Sequence, residues 1–131
     1  MFSLVSQVHC FFFVHFRKTT ILTDEESSAD SLQSIINTNF TGLVLCTKAA
    51  YKLIDKTQDY GHIVNINSIL GHSVPSISSN EVMTNVYAGT KYAVTATTEV
   101  IRQELNFLKN KKVKVSVSTY FVLNFLLFIF L

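Results

Sequence analysis

The chain has 131 residues, 48% of them apolar and 15% charged, with a net charge of only +2. That is enough for one domain with a buried core. So weak a charge excludes the broad basic surface of a nucleic-acid-binding protein, and two cysteines, Cys10 and Cys46, make no disulfide framework and imply a reduced, cytoplasmic protein.

Residues 1–16 carry no Lys, Arg, Asp or Glu and include "CFFFVHF". A signal peptide puts its positive charges before the apolar run. Here Arg17 and Lys18 follow it, so no signal peptide is expected. "TDEESS", residues 23–28, is hydroxyl-rich and acidic, the pattern of a helix start. Leu32, Ile35, Ile36, Leu43, Ala50, Leu53 and Ile54 then recur at spacings of one helical face, which predicts a long helix from about Ala29 to about Lys56. "TQDYG" breaks it. "HIVNINSI" is short, β-branched and bounded by Gly61 and Gly71, the pattern of a buried strand. Residues 69–84 form a loop with the chain's only proline, Pro75. A second helix is expected over about Val86 to Leu108, its buried side marked by Ala93, Ala96, Val100, Ile101, Leu105 and Leu108. Lys109, Lys111, Lys112 and Lys114 suit the negative end of that helix. "KVKVSVST" alternates as a strand. Residues 115–131 are again uncharged. That run is just short of the ~20 residues of a spanning helix, and suits a buried strand as well as a membrane contact through residues 120–131.

Helix, strand, helix, strand is the repeating unit of a parallel α/β sheet. The chain divides into a divergent apolar segment (1–19), a central α/β segment (20–119) and an apolar tail (120–131).

Three features carry chemistry. Tyr87 and Lys91, in "VYAGTKYAV", lie four apart on one helical face. An ammonium beside a phenol favours the phenolate, which would make Tyr87 an acid/base at neutral pH. By spacing alone, a solvated tyrosine and lysine at a first helical turn is the commoner case. Ser68 ends the first strand, which places it at the carboxyl edge of a parallel sheet, where such sheets bind ligands. A turn or capping serine is the plainer reading. Asn39, with Gly42 three residues on, is a poor mid-helix choice and marks a functional site or a kink. No metal site is expected.

The order of these features is more specific than any one of them. "NTNFTG", then "IVNINSILG", then "YAGTK" resembles the short-chain dehydrogenase/reductase family, from about Thr20 to Thr119. "Y-x-x-x-K" occurs once: no other tyrosine has a lysine four residues on. "GLVLCTKAA" and "YAGTKYAVTATTEVIRQELN" are similar to the farnesol-dehydrogenase-like and SDR-member-11-like branch of that family. The resemblance implies a Rossmann-like, doubly wound sheet and a catalytic tetrad of Asn39, Ser68, Tyr87 and Lys91. Tyr87 would exchange a proton with the substrate oxygen and Ser68 would bind that oxygen. Lys91 would hold the nicotinamide ribose of NADP or NAD and lower the Tyr87 pKa. Asn39 would hold a water of a proton relay. The substrate would be a lipophilic alcohol or carbonyl compound, met by Ile69, Leu70, Val74, Ile77, Val82 and Met83. Such proteins are commonly homo-oligomers through their two long helices, here residues 29–56 and 86–108.

The resemblance also sets expectations that the sequence does not meet. The family's glycine-rich phosphate turn precedes its tetrad, yet the first of four glycines here is Gly42. "CFFFVHFRKTT" stands where the family has "N-N-A-G", and "TYFVLNFLLFIFL" where it has Pro-Gly and further chain. The sheet is therefore expected to be partial, without the first β-α-β unit and the C-terminal part, with exposed strand edges, poor solubility or association. Two alternatives follow: a remnant that keeps the tetrad but binds no dinucleotide, and a small membrane-associated protein led by its apolar ends.

Overall fold

A computed structural model describes residues 21–22, 28–57, 60–75 and 85–120. The apolar ends lie outside these residues, apart from the strand position of Tyr120. So does the segment 76–84 with Ile77, Val82 and Met83. Among the described residues no helix is long and apolar enough to cross a membrane.

The first helical region starts at Ser28, whose Oγ accepts the Ser31 amide at 3.2 Å. Helix α1 runs Ala29–Ile36, a π turn occupies Asn37–Thr41, and α2 runs Gly42–Thr57. The predicted long helix is thus continuous, but it carries one extra residue at Asn39. The Gly42 amide reaches back to the Asn37 carbonyl, the i→i+5 spacing of a π turn. Strand β1 (Gly61–Ser68) follows, then a 3₁₀ turn (Ile69–Gly71), helix α3 (Val86–Phe107) and strand β2 (Val113–Tyr120).

The two strands pair in parallel, from Gly61↔Val113 to Ser68↔Tyr120. This is a partial α/β fold, with α3 as the crossover. Ile54 of α2, Leu105 of α3, and Val113 and Val115 of β2 form the apolar core, with Tyr51, Ile63 and Ile101 against it. Both helices therefore pack on the odd-numbered face of the sheet. On the opposite face His62 is exposed, with Nε2 2.7 Å from Ser116 Oγ, and Val64 is 43% exposed. The strand expected to be buried is buried on one face, because α2 and α3 cover the same side.

The buried stripe of α3 also departs from the apolar pattern. Ala96, Val100 and Leu108 are exposed, whereas Tyr87, Lys91, Val94, Thr98 and Leu105 are buried. Polar residues hold the inner positions because the strand supplies partners. Asn65 Nδ2 donates to Thr98 Oγ1 at 2.9 Å, and Thr47 Oγ1 of α2 donates to Asn65 Oδ1 at 3.1 Å. Helix α3 ends in a Schellman turn: Asn110 donates to Leu105 O and Lys109 to Asn106 O. Lys109 sits in it at φ 51°, the position glycine normally takes.

Candidate active site

Asn85 fixes where α3 begins. Its Oδ1 accepts the Tyr87 amide at 2.9 Å, the bond of an N-cap. Tyr87 is thereby held in the first turn, with its side chain 5% exposed. One turn on, Lys91 is 3% exposed. Its Nζ donates to the Ile66 carbonyl of β1 at 3.2 Å and lies 5.6 Å from the centre of the Tyr87 ring, within the range of a cation–π contact. Ser68, 6% exposed, closes β1. Its Oγ accepts the Leu70 amide at 3.2 Å, so it caps the following turn, and its hydroxyl bonds the Tyr87 phenol. The structure brings Ser68, Tyr87 and Lys91 together at the carboxyl edge of the sheet.

Asn39 approaches from the other helix. It is 4% exposed inside the π turn. Its Nδ2 donates to Thr90 Oγ1 at 3.4 Å, and that hydroxyl donates to the Tyr87 carbonyl at 2.7 Å. Asn39 thus meets α3 at the residue before Lys91. The locally unfavourable asparagine marks the place where the helix widens and its side chain turns onto α3.

The electrostatics differ from the expectation drawn from spacing. Burial pushes the Tyr87 phenol above its usual 10.0, and the Ser68 hydrogen bond draws it partly back. Lys91 is not what lowers it. Burial depresses the lysine below its own usual 10.5, because a desolvated ammonium is penalised. At neutral pH the site therefore presents a protonated phenol, a proton donor.

Sequence reasoning passed over Asn85, Thr90, Asn67 and Thr95. Asn85 was legible as an asparagine just before a helix. Asn65 and Asn67 alternate on one strand face, and Thr95 and Thr98 lie on the helix that covers them; that match needs the packing to be seen.

Comparison with known proteins shows the family. The family model described as short chain dehydrogenase matches residues 19–120. The chain belongs to the short-chain dehydrogenase family. It is 40% identical over 89 residues to a farnesol dehydrogenase of Aedes aegypti, covering 68% of this chain and 34% of that protein. It is 42% identical over 90 residues to the human dehydrogenase/reductase SDR family member 11, covering 68% and 32%. A 3-oxoacyl-(acyl-carrier-protein) reductase of Synechocystis is 38% identical over 73 residues, covering 56% and 27%. The chain spans about a third of the length of the relatives it matches.

Proposed function

We propose that this chain carries the catalytic centre of an NAD(P)-dependent oxidoreductase that interconverts a lipophilic alcohol and its carbonyl compound. The observation that carries the reading is the convergence of Ser68, Tyr87 and Lys91 at the carboxyl edge of a parallel sheet, where open α/β sheets bind ligands. Tyr87, protonated at neutral pH, donates its proton to a carbonyl oxygen. Ser68 bonds the same oxygen and holds it in line with the phenol. The site as built favours carbonyl reduction at neutral pH, since the reverse reaction needs the phenolate.

The residues present fit the ribose end of NADP or NAD. A lysine ammonium has three donors; Ile66 O takes one, leaving two for the ribose hydroxyls. The chemistry that a bound nicotinamide supplies is hydride transfer. Asn39, seated on Thr90 beside Lys91, supports the lysine through α3. On the described part of the loop, Ile69 and Val74 are 37% and 54% exposed, which suits an apolar substrate. The names of the mosquito and human relatives are consistent with an alcohol or carbonyl substrate.

The other reading is a remnant that keeps these residues but binds no dinucleotide. The chain's four glycines are Gly42, which opens α2, Gly61, which opens β1, Gly71, which closes the turn, and Gly89 within α3. One titration decides: NADPH and NADH are added to the purified chain while fluorescence and melting temperature are followed. Specific micromolar binding supports the oxidoreductase; no binding, with the fold intact, supports the remnant.

The partner we infer for the chain is a second copy of itself. Leu45 and Leu53 of α2, and Tyr92 and Val100 of α3, are 61%, 52%, 43% and 51% exposed. A soluble monomer on size-exclusion chromatography would sink this.

A further inference from the structure

Among the described residues, the Oδ1 of Asn67 is a buried side-chain oxygen with no hydrogen-bond partner. Asn67 is 3% exposed. An unpaired buried acceptor costs stability, and an alanine here would avoid that cost. The other end of the amide is bonded. Asn67 Nδ2 donates to Thr95 Oγ1 at 2.8 Å. Thr95 passes its own proton to the Gly71 carbonyl at 2.9 Å, with Lys91 O as a weaker second acceptor at 3.4 Å. Three elements meet at this one hydroxyl: the end of β1, the turn of α3 after Lys91, and the end of the 3₁₀ turn that Ser68 caps.

Gly71 lies flat on this junction. A Cβ there would stand 2.6 Å from Asn67 Nδ2, 2.7 Å from Asn67 Oδ1 and 2.6 Å from the Lys91 carbonyl. These separations are closer than real Cβ contacts, and one of the neighbours is backbone. The glycine is what lets the turn close onto both the amide and α3. The turn is thereby anchored at its far end by Gly71 and at its near end by Ser68, whose Oγ holds the Leu70 amide.

We propose that Asn67 and Thr95 are positioning residues of the site: they tie the turn that begins at Ser68 to the helix that carries Tyr87 and Lys91, and so set the Ser68 hydroxyl against the phenol. Neither touches the reacting atoms. The catalytic meaning of the tie rests on the role given above to Ser68 and Tyr87.

The test reads that placement directly. The chain is labelled with ¹³Cζ-tyrosine, the Tyr87 resonance is assigned by its loss in Tyr87→Phe, and its position at neutral pH and its midpoint on alkaline titration are measured. Thr95→Ala is expected to displace the resonance and move the midpoint upward, in the same direction as Ser68→Ala. Thr95→Ser, which keeps the hydroxyl, is expected to restore both. In a Ser68→Ala background Thr95→Ala should add nothing, because the hydroxyl it positions is gone. A folded Thr95→Ala with the wild-type resonance and midpoint overturns the proposal, as does an equal shift in the Ser68→Ala background. If Thr95→Ala does not fold, Asn67→Ser tests the tie from the strand side by the same criteria. The readout needs no cofactor. A chain that fails to bind NADPH yet shows this coupling loses the oxidoreductase reading and keeps the tie.

Discussion

At the amino end of the β1–β2 ladder, Val113 and Val115 press on Ile54 and Leu105. At its carboxyl end, Asn65, Asn67 and Ser68 face Thr95, Thr98, Tyr87 and Lys91, and Asn65, Asn67 and Ser68 are as buried as the valines. The same two strands and the same stripe of α3 thus serve two ends of opposite chemistry. In the apolar end, burial alone stabilises. In the polar end, burial is a cost that directed hydrogen bonds offset, and those bonds fix where each side chain points. The difference teaches that this sheet separates holding the fold from arming the site, at opposite ends of one helix.

The largest expected effect separates the two ends outright. On the function proposed above, Tyr87→Phe removes the proton donor and keeps the ring. Steady-state reduction of a lipophilic carbonyl compound should fall by roughly 10²–10⁴-fold, the usual contribution of a positioned acid, with melting close to wild type. A variant that loses the fold along with activity would mean that the phenol is structural, and the division between the ends would fail.

The converse substitution is Leu105→Ala. Leu105 is 7% exposed in the apolar cluster, so truncation should cost about 2–5 kcal/mol, read as a drop in denaturant midpoint. The ¹³Cζ signal of Tyr87 should be unchanged while the protein remains folded. If that signal moves, the two ends are mechanically one unit.

How much of this was visible in the chain itself follows the same line. The apolar end was legible: Ile54 and Leu105 fall on the expected faces, and both strands were bounded by glycine or alternation. Asn39 was legible as a misfit, though not as a π turn, because the extra residue depends on what the side chain meets on α3. The Tyr87–Lys91 pair was legible once Ser68 and Asn39 stood in order before it. The direction of the tyrosine's shift was not, since spacing puts a lysine near a phenol but says nothing of how much water either keeps. The polar stripe of α3 was misread for a related reason. Hydropathy puts Ala96 and Val100 inside, and only the asparagines of β1 show why Thr98 is buried while they are exposed.

A smaller effect probes the link between α3 and the apolar end. Lys109, at φ 51°, closes the Schellman turn that returns the chain to β2. A side chain in that conformation costs about 1–2 kcal/mol against glycine. Lys109→Gly should therefore raise stability by about 1 kcal/mol in urea unfolding and leave Tyr87 untouched. A loss of stability would show that the lysine's contact with the helix terminus outweighs the strain.

The last effect is that of pH, where the two site groups act in opposite directions on either side of about pH 10. Tyr87 titrates higher in the fold than its usual 10.0. Above pH 10 the folded chain therefore holds the phenolic proton that the unfolded chain has lost, and stability falls as pH rises through the folded value. Lys91 titrates lower than its usual 10.5. Between its folded value and 10.5 the unfolded chain binds the extra proton, so stability rises with pH across that window. In the wild type the two windows overlap only between pH 10.0 and 10.5, so stability should rise towards that range and fall beyond it. Tyr87→Phe should leave the lysine's rise alone, and Lys91→Met should leave the tyrosine's fall alone, each measured as urea midpoint between pH 8 and 11. Matching curves for the two variants would mean that neither group is desolvated as its burial implies, and the polar end would lose its distinction from the surface.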